Sequence, residues 1–200
     1  MPSPYVLGVT GSIGAGKSAV LNILAGHGFE IIDADSVYHQ LIAAGGPLVA
    51  PIRAEFGPGV VAADGSIDRS ALRAIVFADP AALKRLDEVT HPVVIAAIEQ
   101  RIADTARDRV AVDGVKLVES GLADRCDRVW LVTADDDVRR ERLMKRNGLS
   151  AAEADARIAA SPDPTVARAR ADVVLDNSGT LADLEKAIAH ELKIDPLLSK

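Results

Sequence analysis

Residues 11–18 read Gly11-Ser12-Ile13-Gly14-Ala15-Gly16-Lys17-Ser18, a complete match to the pattern G-x-x-x-x-G-K-S. An apolar run from Tyr5 to Thr10 comes directly before this segment, and a helix-forming pattern begins at Lys17. Small residues let backbone N–H groups curl around phosphate oxygens, and the N-terminus of a helix adds further donors and a favourable dipole. The segment therefore predicts a strand, an anion-binding loop and a helix in succession.

Such a loop is a P-loop, and it implies a bound nucleotide. We expect Lys17 to reach the β- and γ-phosphates of ATP and the hydroxyl of Ser18 to bind Mg²⁺. A dinucleotide-binding loop fits less well, because the glycines read G-x-x-G-x-G and the Lys-Ser pair has no role in that fingerprint. The predicted nucleotide-binding residues of this segment are Gly11, Gly14, Ala15, Gly16, Lys17, Ser18 and Ala19.

Short apolar runs alternate with longer amphipathic stretches along the chain, as in buried strands joined by crossover helices. This pattern predicts an α/β protein with the P-loop NTPase fold, in which helices flank a central, mostly parallel sheet. The predicted strands are residues 5–10, 29–33, 109–113, 128–133 and 172–175, with Leu117 and Val118 close behind the third.

The chain is predicted to be one domain with two helical additions. Residues 36–107 are too long for a simple crossover helix, so we expect an inserted helical subdomain. Within it Asp68 should cap a helix, and Pro92 interrupts an apolar-periodic segment, which predicts a bend. A second addition should form a helical lid. The lid is residues 135–171, and the core is residues 1–35, 108–134 and 172–200.

Bulk composition narrows the class of protein. In a chain of 200 residues, 48% hydrophobic and 26% charged residues indicate a soluble globular protein with a sizeable core. A net charge of −6 provides no basic field for a nucleic-acid backbone, so we expect no nucleic-acid partner. Cys126 is the only cysteine and cannot form an intrachain disulfide. Without a basic leader, a long apolar run or a coiled-coil seam, we expect a cytoplasmic monomer with no membrane contact.

Three aspartates follow predicted strands. Asp33 and Asp35 end the second strand, and an alternating pleat would put both carboxylates on one side at the carboxyl edge of the sheet. One could orient Mg²⁺ while the other accepts the proton of an acceptor hydroxyl. Alternatively, one of them only caps the next helix. Asp113 ends a Val-Ala-Val-Asp run and is typical of a Walker B carboxylate near Mg²⁺.

Basic residues cluster after the fourth strand. Arg139, Arg142 and Arg146 have helical spacing on one face, where a lid could bring cations over a transferring phosphoryl group. A solvated helix face is the alternative. His91 precedes Pro92 in the helical insertion and could be either a ligand-binding or a packed residue.

Taken in order, these segments resemble the dephospho-coenzyme A kinase family over nearly the whole chain. The P-loop alone would indicate only a superfamily, whereas T-H-P in the insertion and the terminal A-D-x-x-x-D-N-x-G are not general features of small P-loop kinases. The matching segments are Thr10–Ser18, Asp33–Asp35, Thr90–Pro92, Glu119–Leu122, Arg142–Arg146, Arg157–Ala159 and Ala171–Gly179.

The resemblance implies a reaction, in which the γ-phosphoryl group of ATP is transferred to the ribose 3′-hydroxyl of dephospho-coenzyme A, the last step of coenzyme A biosynthesis. It also implies that the helical insertion binds the acceptor. By carry-over from the family, Asp33 and Asp35 lie at the acceptor with Asp35 as the preferred base, His91 belongs to the acceptor side, Arg142 and Arg146 to the lid, and Asn177 lies near the adenine.

The sequence departs from the family pattern in two segments. Val115 and Lys116 stand in a stretch that is normally apolar and contains a proline, and Ser161 stands where a glutamine is expected. Two alternatives therefore stay open. One is a P-loop kinase for another small hydroxyl acceptor, such as a sugar acid, a nucleoside or shikimate, and the other is a nucleotide-binding regulatory module that has lost catalysis.

Overall fold

The structure, a computed structural model, describes residues 3–161 and 164–198. Within these residues the chain forms five β-strands, nine α-helices and two short 3-10 helices. The elements in chain order are β1 (Tyr5–Gly11), α1 (Lys17–Gly26), β2 (Glu30–Asp33), α2 (Ala34–Leu41), α3 (Val49–Phe56), a 3-10 helix (Pro58–Val60), α4 (Arg69–Ala78), α5 (Pro80–Asp104), β3 (Arg109–Asp113), a 3-10 helix (Leu122–Arg125), β4 (Arg128–Thr133), α6 (Asp136–Asn147), α7 (Ala151–Ala159), α8 (Thr165–Arg170), β5 (Val173–Asp176) and α9 (Leu181–Ile194).

The strands form one sheet in the order β2-β3-β1-β4-β5. β1 pairs in parallel with β3 and β4, and β4 pairs in parallel with β5. All seven residues of β1 are buried, as expected for a central strand covered by helices on both faces. The predicted α/β class with a parallel central sheet is therefore confirmed. Val9 lies in register with Asp113, so β1 and β3 end beside each other.

The described residues form two compact units. The first runs up to Ile31 and resumes at Thr105, and it contains the sheet core. The second spans Ile32–Asp104, carries helices α2 to α5 and has an apolar core of its own. The buried members of that second core are Ile42, Leu48, Ile52, Val60, Ile67 and Leu72.

One local prediction is wrong. Leu117 and Val118 were expected to belong to strand structure close behind β3, but they lie in consecutive turns that follow it. The turns bury Leu117 against Gly8, where an added Cβ would lie 2.6 Å from Leu117 Cδ2. α5 continues through Pro92 as a helix, and the bend expected at this residue stays a prediction. Residues on both sides of Pro92, including Val89 and Val93, pack on the second core, and this packing offsets the lost backbone hydrogen bond.

No helix within residues 3–161 and 164–198 combines the length and the apolar character that crossing a membrane requires.

Candidate functional site

The loop between β1 and α1 has the predicted strand–loop–helix context. Gly14 and Gly16 have φ angles of 79° and 92°, in the left-handed region that favours glycine. A Cβ on Gly16 would lie 2.2 Å from the side-chain nitrogen of Asn177, and one on Gly11 would lie 2.5 Å from the carbonyl oxygen of Val132. The glycines of the motif are therefore required by backbone conformation and by close approach of neighbouring groups.

Side chains from two later elements hold the backbone carbonyls of this loop. The carbonyl of Ala15 accepts hydrogen bonds from Asn177 Nδ2 at 2.8 Å and from Arg142 Nη1 at 3.2 Å. Arg142 Nη2 also donates to the Asn177 carbonyl at 2.8 Å, so Arg142 and Asn177 are joined. The carbonyl of Ile13 accepts from Arg139 Nε at 2.9 Å. These bonds fix the peptide groups of the loop from the side of α6 and of the segment after β5.

The backbone amides of the same loop differ from its carbonyls in their hydrogen bonding. The carbonyls of Ser12 and Gly16 accept from the amides of Ala15 at 3.1 Å and Ala19 at 3.0 Å. Within the described residues, several other amides have no protein acceptor. They belong to Ile13, Gly14, Gly16, Lys17 and Ser18. With carbonyls engaged and amides available, the loop presents donors to a ligand, as a phosphate-binding site requires.

Lys17 and Asp113 form an ion pair beside the loop. Lys17 Nζ lies 2.8 Å from Asp113 Oδ1, and the side chains are 16% and 19% exposed. The register of β1 and β3 brings them together, since Asp113 ends β3 next to β1 and Lys17 begins α1. The pair lies where the sequence predicts a phosphate-binding lysine and a Walker B carboxylate. Ser18 is exposed in the first turn of α1.

The three arginines of the predicted cluster have different surroundings. Arg139 and Arg142 reach the loop carbonyls, whereas Arg146 is exposed and donates to the neighbouring Asn147 side chain at 3.0 Å. Arg139 Nη1 also pairs with Asp136 at 2.7 Å, and its Nη2 is buried with no hydrogen-bond partner among the described residues. Sequence spacing placed Arg139 in the cluster, but only the structure shows its contact with the loop.

The geometry expected for Asp33 and Asp35 is wrong. β2 ends at Asp33, and Asp35 lies in the first turn of α2, so the two side chains are not related by a strand pleat. Asp33 is the N-cap, and its Oδ1 accepts the Asp35 amide at 3.0 Å. Asp33 therefore caps α2, while Asp35 is exposed at the start of the helix.

His91 lies on α5 in the second unit. Its Nε2 is 3.3 Å from Asp87 Oδ1, one helical turn earlier, and the two side chains are 24% and 31% exposed. A carboxylate at this distance orients the imidazole ring, which suits either a packed residue or one that contacts a ligand.

The two segments that depart from the family pattern differ in structure. The carbonyl of Val115 accepts from the hydroxyl of Thr10 at 3.2 Å, so the turns after β3 are tied to the end of β1. Ser161 donates to the Arg157 carbonyl at 3.2 Å at the end of α7. Pro162 and Asp163, which follow it, lie outside the described residues.

Comparison with known proteins gives a consistent result. A sequence model of the family described as dephospho-CoA kinase matches residues 5–183. A dephospho-CoA kinase from Geobacter sulfurreducens is 41% identical over 186 residues, covering 92% of this chain and 94% of the relative.

Solved structures agree with these sequence matches. The Thermus thermophilus protein TT1252 superposes with a TM-score of 0.78 at 35% identity, covering 95% of this chain and 97% of that one. A dephospho-CoA kinase from Campylobacter jejuni superposes with a TM-score of 0.68 at 27% identity, covering 94% of this chain and 95% of that one. Sequence and fold thus agree over almost the entire length, and the chain belongs to the dephospho-CoA kinase family.

Proposed function

We propose that the protein transfers the γ-phosphoryl group of ATP to the ribose 3′-hydroxyl of dephospho-coenzyme A, giving coenzyme A and ADP. The observation that carries this proposal is the loop at residues 11–18, in which side chains engage the carbonyls and leave the amides to a ligand. The family match supplies the acceptor. The alternatives of another hydroxyl acceptor and of a non-catalytic module have no comparable support.

The nucleotide side is assigned to the loop. The backbone amides of residues 13–18 would hold the phosphates, and Lys17 would contact the β- and γ-phosphates. Gly11 and Ala19 lie at the two ends of this loop. Asn177 holds the loop through the Ala15 carbonyl and would lie near the adenine. Arg142 holds the loop in its shape, and Arg146 would join the phosphates from the lid.

The metal side is assigned to Ser18 and Asp113. Within the described part of the chain, no group of three or more His, Cys, Asp or Glu side chains could hold a metal ion. A hydroxyl and a carboxylate are nevertheless oxygen ligands of the kind that Mg²⁺ prefers, and phosphate oxygens usually complete its coordination. When bound, Mg²⁺ supplies positive charge that offsets the charge developing on the phosphates. Lys17 and Asp113, paired at 2.8 Å, place a cation and a metal-binding carboxylate side by side.

The acceptor side is assigned to the second unit. Asp35 would accept the proton of the acceptor hydroxyl, because its carboxylate is exposed and, unlike that of Asp33, does not cap the helix. Asp33 would orient the metal or its waters while one of its oxygens holds the Asp35 amide. His91, held by Asp87, would contact the acceptor. The three-part organisation is a core, an acceptor-binding insertion of residues 36–107 and a lid of residues 135–171.

We also propose a cytoplasmic monomer. The proposal rests on the sequence, which has no apolar run long enough to span a membrane and no coiled-coil seam.

The proposal is tested by coupled ADP release with purified protein, ATP and Mg²⁺, using dephospho-coenzyme A, shikimate, gluconate and adenosine as acceptors. We expect kcat/KM for dephospho-coenzyme A to exceed that for every other acceptor by at least about a hundredfold, about 2.8 kcal/mol of transition-state discrimination. Phosphorus NMR of the product should show a new 3′-phosphomonoester. Preference for another acceptor, or tight ATP binding with no acceptor-dependent ADP release, would refute the proposal.

A further inference from the structure

The second unit contains a cavity that none of the assignments above uses. Its volume is about 430 Å³, within the range typical of small-molecule sites. All of its lining residues belong to the unit that spans Ile32–Asp104. They are Tyr38 on α2, Arg69, Ser70, Leu72, Arg73 and Val76 on α4, and Leu86 on α5.

Two arginines give the cavity its charge. Arg69 and Arg73 are four residues apart on α4, so their side chains lie on the same helical face. Neither guanidinium forms a salt bridge with a carboxylate in residues 3–161 and 164–198. Arg73 lies over the ring of Phe77, 5.0 Å from its centroid, which restrains it without neutralising it. Two like charges so close together favour a bound anion between them.

The anion would be held by these side chains and not by the end of the helix. Asp68, the N-cap of α4, accepts the amides of Ser70 at 2.9 Å and of Ala71 at 3.1 Å. These two amides of the first turn are therefore already in use, and the guanidinium groups of Arg69 and Arg73 are the charged donors of the cavity wall. Arginine suits this role because its planar fork binds two phosphate oxygens at once.

The rest of the cavity wall is mixed. Burial raises the pKa of the Tyr38 hydroxyl, an effect that Arg69 opposes and Asp87 reinforces, so the phenol keeps its proton at neutral pH and can donate. Leu72, Val76 and Leu86 form the apolar side. A ligand that fits this wall has an anionic group followed by a chain with apolar character.

The cavity is close in sequence and space to the proposed base. Tyr38 follows Asp35 by three residues on α2, so the two side chains are neighbours on one helical face. In dephospho-coenzyme A, a single ribose ring separates the 3′-hydroxyl from the 5′-diphosphate, and the pantetheine chain continues from the diphosphate. An acceptor whose hydroxyl contacts Asp35 would therefore present its diphosphate about one helical turn away.

We propose that this cavity binds the diphosphate of dephospho-coenzyme A through Arg69 and Arg73, with the first part of the pantetheine chain against Leu72, Val76 and Leu86. The inference rests on the proposed function, because that function supplies the acceptor. It adds the residues that distinguish this acceptor from one that has a ribose but no diphosphate.

The test compares Arg69→Gln and Arg73→Gln with the control Arg53→Gln. Arg53 is an exposed arginine on α3 in the same unit and does not line the cavity. Each cavity variant should raise the KM for dephospho-coenzyme A at least about tenfold with the KM for ATP unchanged, because a phosphate contact is lost on the acceptor side only. The control should match the wild type for both substrates.

A second variant adds repulsion without removing an arginine. Ser70→Glu puts a carboxylate on the cavity wall, in the first turn of α4, where a negative charge favours the helix. It should weaken dephospho-coenzyme A binding to ATP-free protein, measured by calorimetry, at least about tenfold, while thermal unfolding shows an intact fold. With adenosine, which lacks the diphosphate, none of the variants should change kcat/KM.

The outcomes separate this inference from the proposed function. If wild-type protein phosphorylates dephospho-coenzyme A and the cavity variants behave like Arg53→Gln, the diphosphate site is refuted alone. Equal losses with dephospho-coenzyme A and adenosine would also refute it, because the arginines would then act on the hydroxyl end. If the wild type binds dephospho-coenzyme A in an Arg69-dependent way but does not phosphorylate it, the proposed function fails and the site stands.

Discussion

Lys17 belongs to the loop motif of residues 11–18, and its ammonium nitrogen lies 2.8 Å from a carboxylate oxygen of Asp113. Removing it takes a cation from the loop and leaves the carboxylate of Asp113 near the site for the phosphates. Because the side chain lies at the start of α1 and contributes nothing to the apolar core, the fold should not depend on it.

Lys17→Ala should therefore lower kcat/KM by at least about a thousandfold with little change in the unfolding temperature. Steady-state ADP release and thermal unfolding measure the two effects. Lys186→Ala, at an exposed position on α9, is the matched control and should behave like the wild type. A Lys17→Ala variant that keeps most of its activity would contradict the assignment of the loop as a phosphate site.

The two aspartates can be separated because asparagine is as good an N-cap as aspartate. Asp33→Asn should keep the cap on α2 and lose only the charge, giving a defect that higher Mg²⁺ partly restores. Asp35→Asn should abolish acceptor phosphorylation, with at least about a hundredfold loss in kcat and little change in ATP binding.

Titrating activity against Mg²⁺ for both variants, together with ATP binding by calorimetry, distinguishes these roles. If the two phenotypes are exchanged, the base is Asp33. If neither change lowers turnover even about tenfold, far less than the roughly hundredfold expected from loss of a general base, both carboxylates are structural.

At the scale of elements, α6 and the segment after β5 work together to shape the loop. Arg142 donates to the Ala15 carbonyl from Nη1 and to the Asn177 carbonyl from Nη2, so the two bonds start from different nitrogens of its planar fork. Arg142→Lys keeps the charge but should lose one of the two bonds. Shape and charge can therefore be tested separately.

Arg142→Lys should raise the KM for ATP and lower kcat, each about tenfold, because the loop amides lose their fixed direction. Arg146→Lys is the comparison: Arg146 is exposed and donates to the neighbouring Asn147 side chain, so lysine should serve there almost as well. Full activity of Arg142→Lys would mean that charge alone matters and that the bridge to Asn177 does not hold the loop.

Local signals predicted most of the elements, because caps and strands depend on neighbours in sequence. The Asp68 cap, the helix from Lys17 and the five strand positions all follow from short patterns, and the structure confirms them. The failures have a different origin. Asp33 ends its strand because its carboxylate caps α2, and this competes with the extended conformation that the D-A-D pattern suggested.

Tertiary contacts account for what the sequence could not show. α5 continues through Pro92 because partly buried apolar residues before and after it pack on one core. Arg139 binds the Ile13 carbonyl across 126 positions of sequence, and no local pattern specifies such a pairing. The cavity of Arg69 and Arg73 likewise depends on how α2, α4 and α5 pack together.

At the scale of the whole molecule, the first compact unit is built from two separate parts of the chain, before Ile32 and after Asp104. Contacts between its first strand and its last residues therefore close the unit. The hydroxyl of Tyr5 donates to Asp195 Oδ2 at 2.7 Å, a buried bond across 190 positions. Arg128 lies 3.8 Å from the same oxygen, and the Tyr5 ring packs edge-on against Phe29.

Tyr5→Phe keeps this ring packing and removes the hydroxyl, so it isolates the bond to Asp195. We expect a loss of about 1–3 kcal/mol in the free energy of unfolding, since a buried carboxylate loses a donor. Urea unfolding at neutral pH measures this loss, and ATP binding should be unchanged because Tyr5 is at the opposite end of β1 from the loop.

The same pair predicts how stability depends on alkaline pH. Burial, followed by the hydrogen bond to Asp195 and the charge of that carboxylate, raises the pKa of Tyr5 well above its ordinary value near 10. The folded protein therefore holds this proton where the unfolded chain releases it, so the contribution of Tyr5 is complete below about pH 10 and declines as the pH rises further. Phenylalanine cannot ionise, so the difference in unfolding free energy between the wild type and Tyr5→Phe should shrink as the pH rises from about 10 to about 11. Urea titrations across this range should show the two stabilities converging. Parallel pH profiles would mean that Tyr5 titrates alike in the folded and unfolded protein, and that its bond to Asp195 does not close the unit.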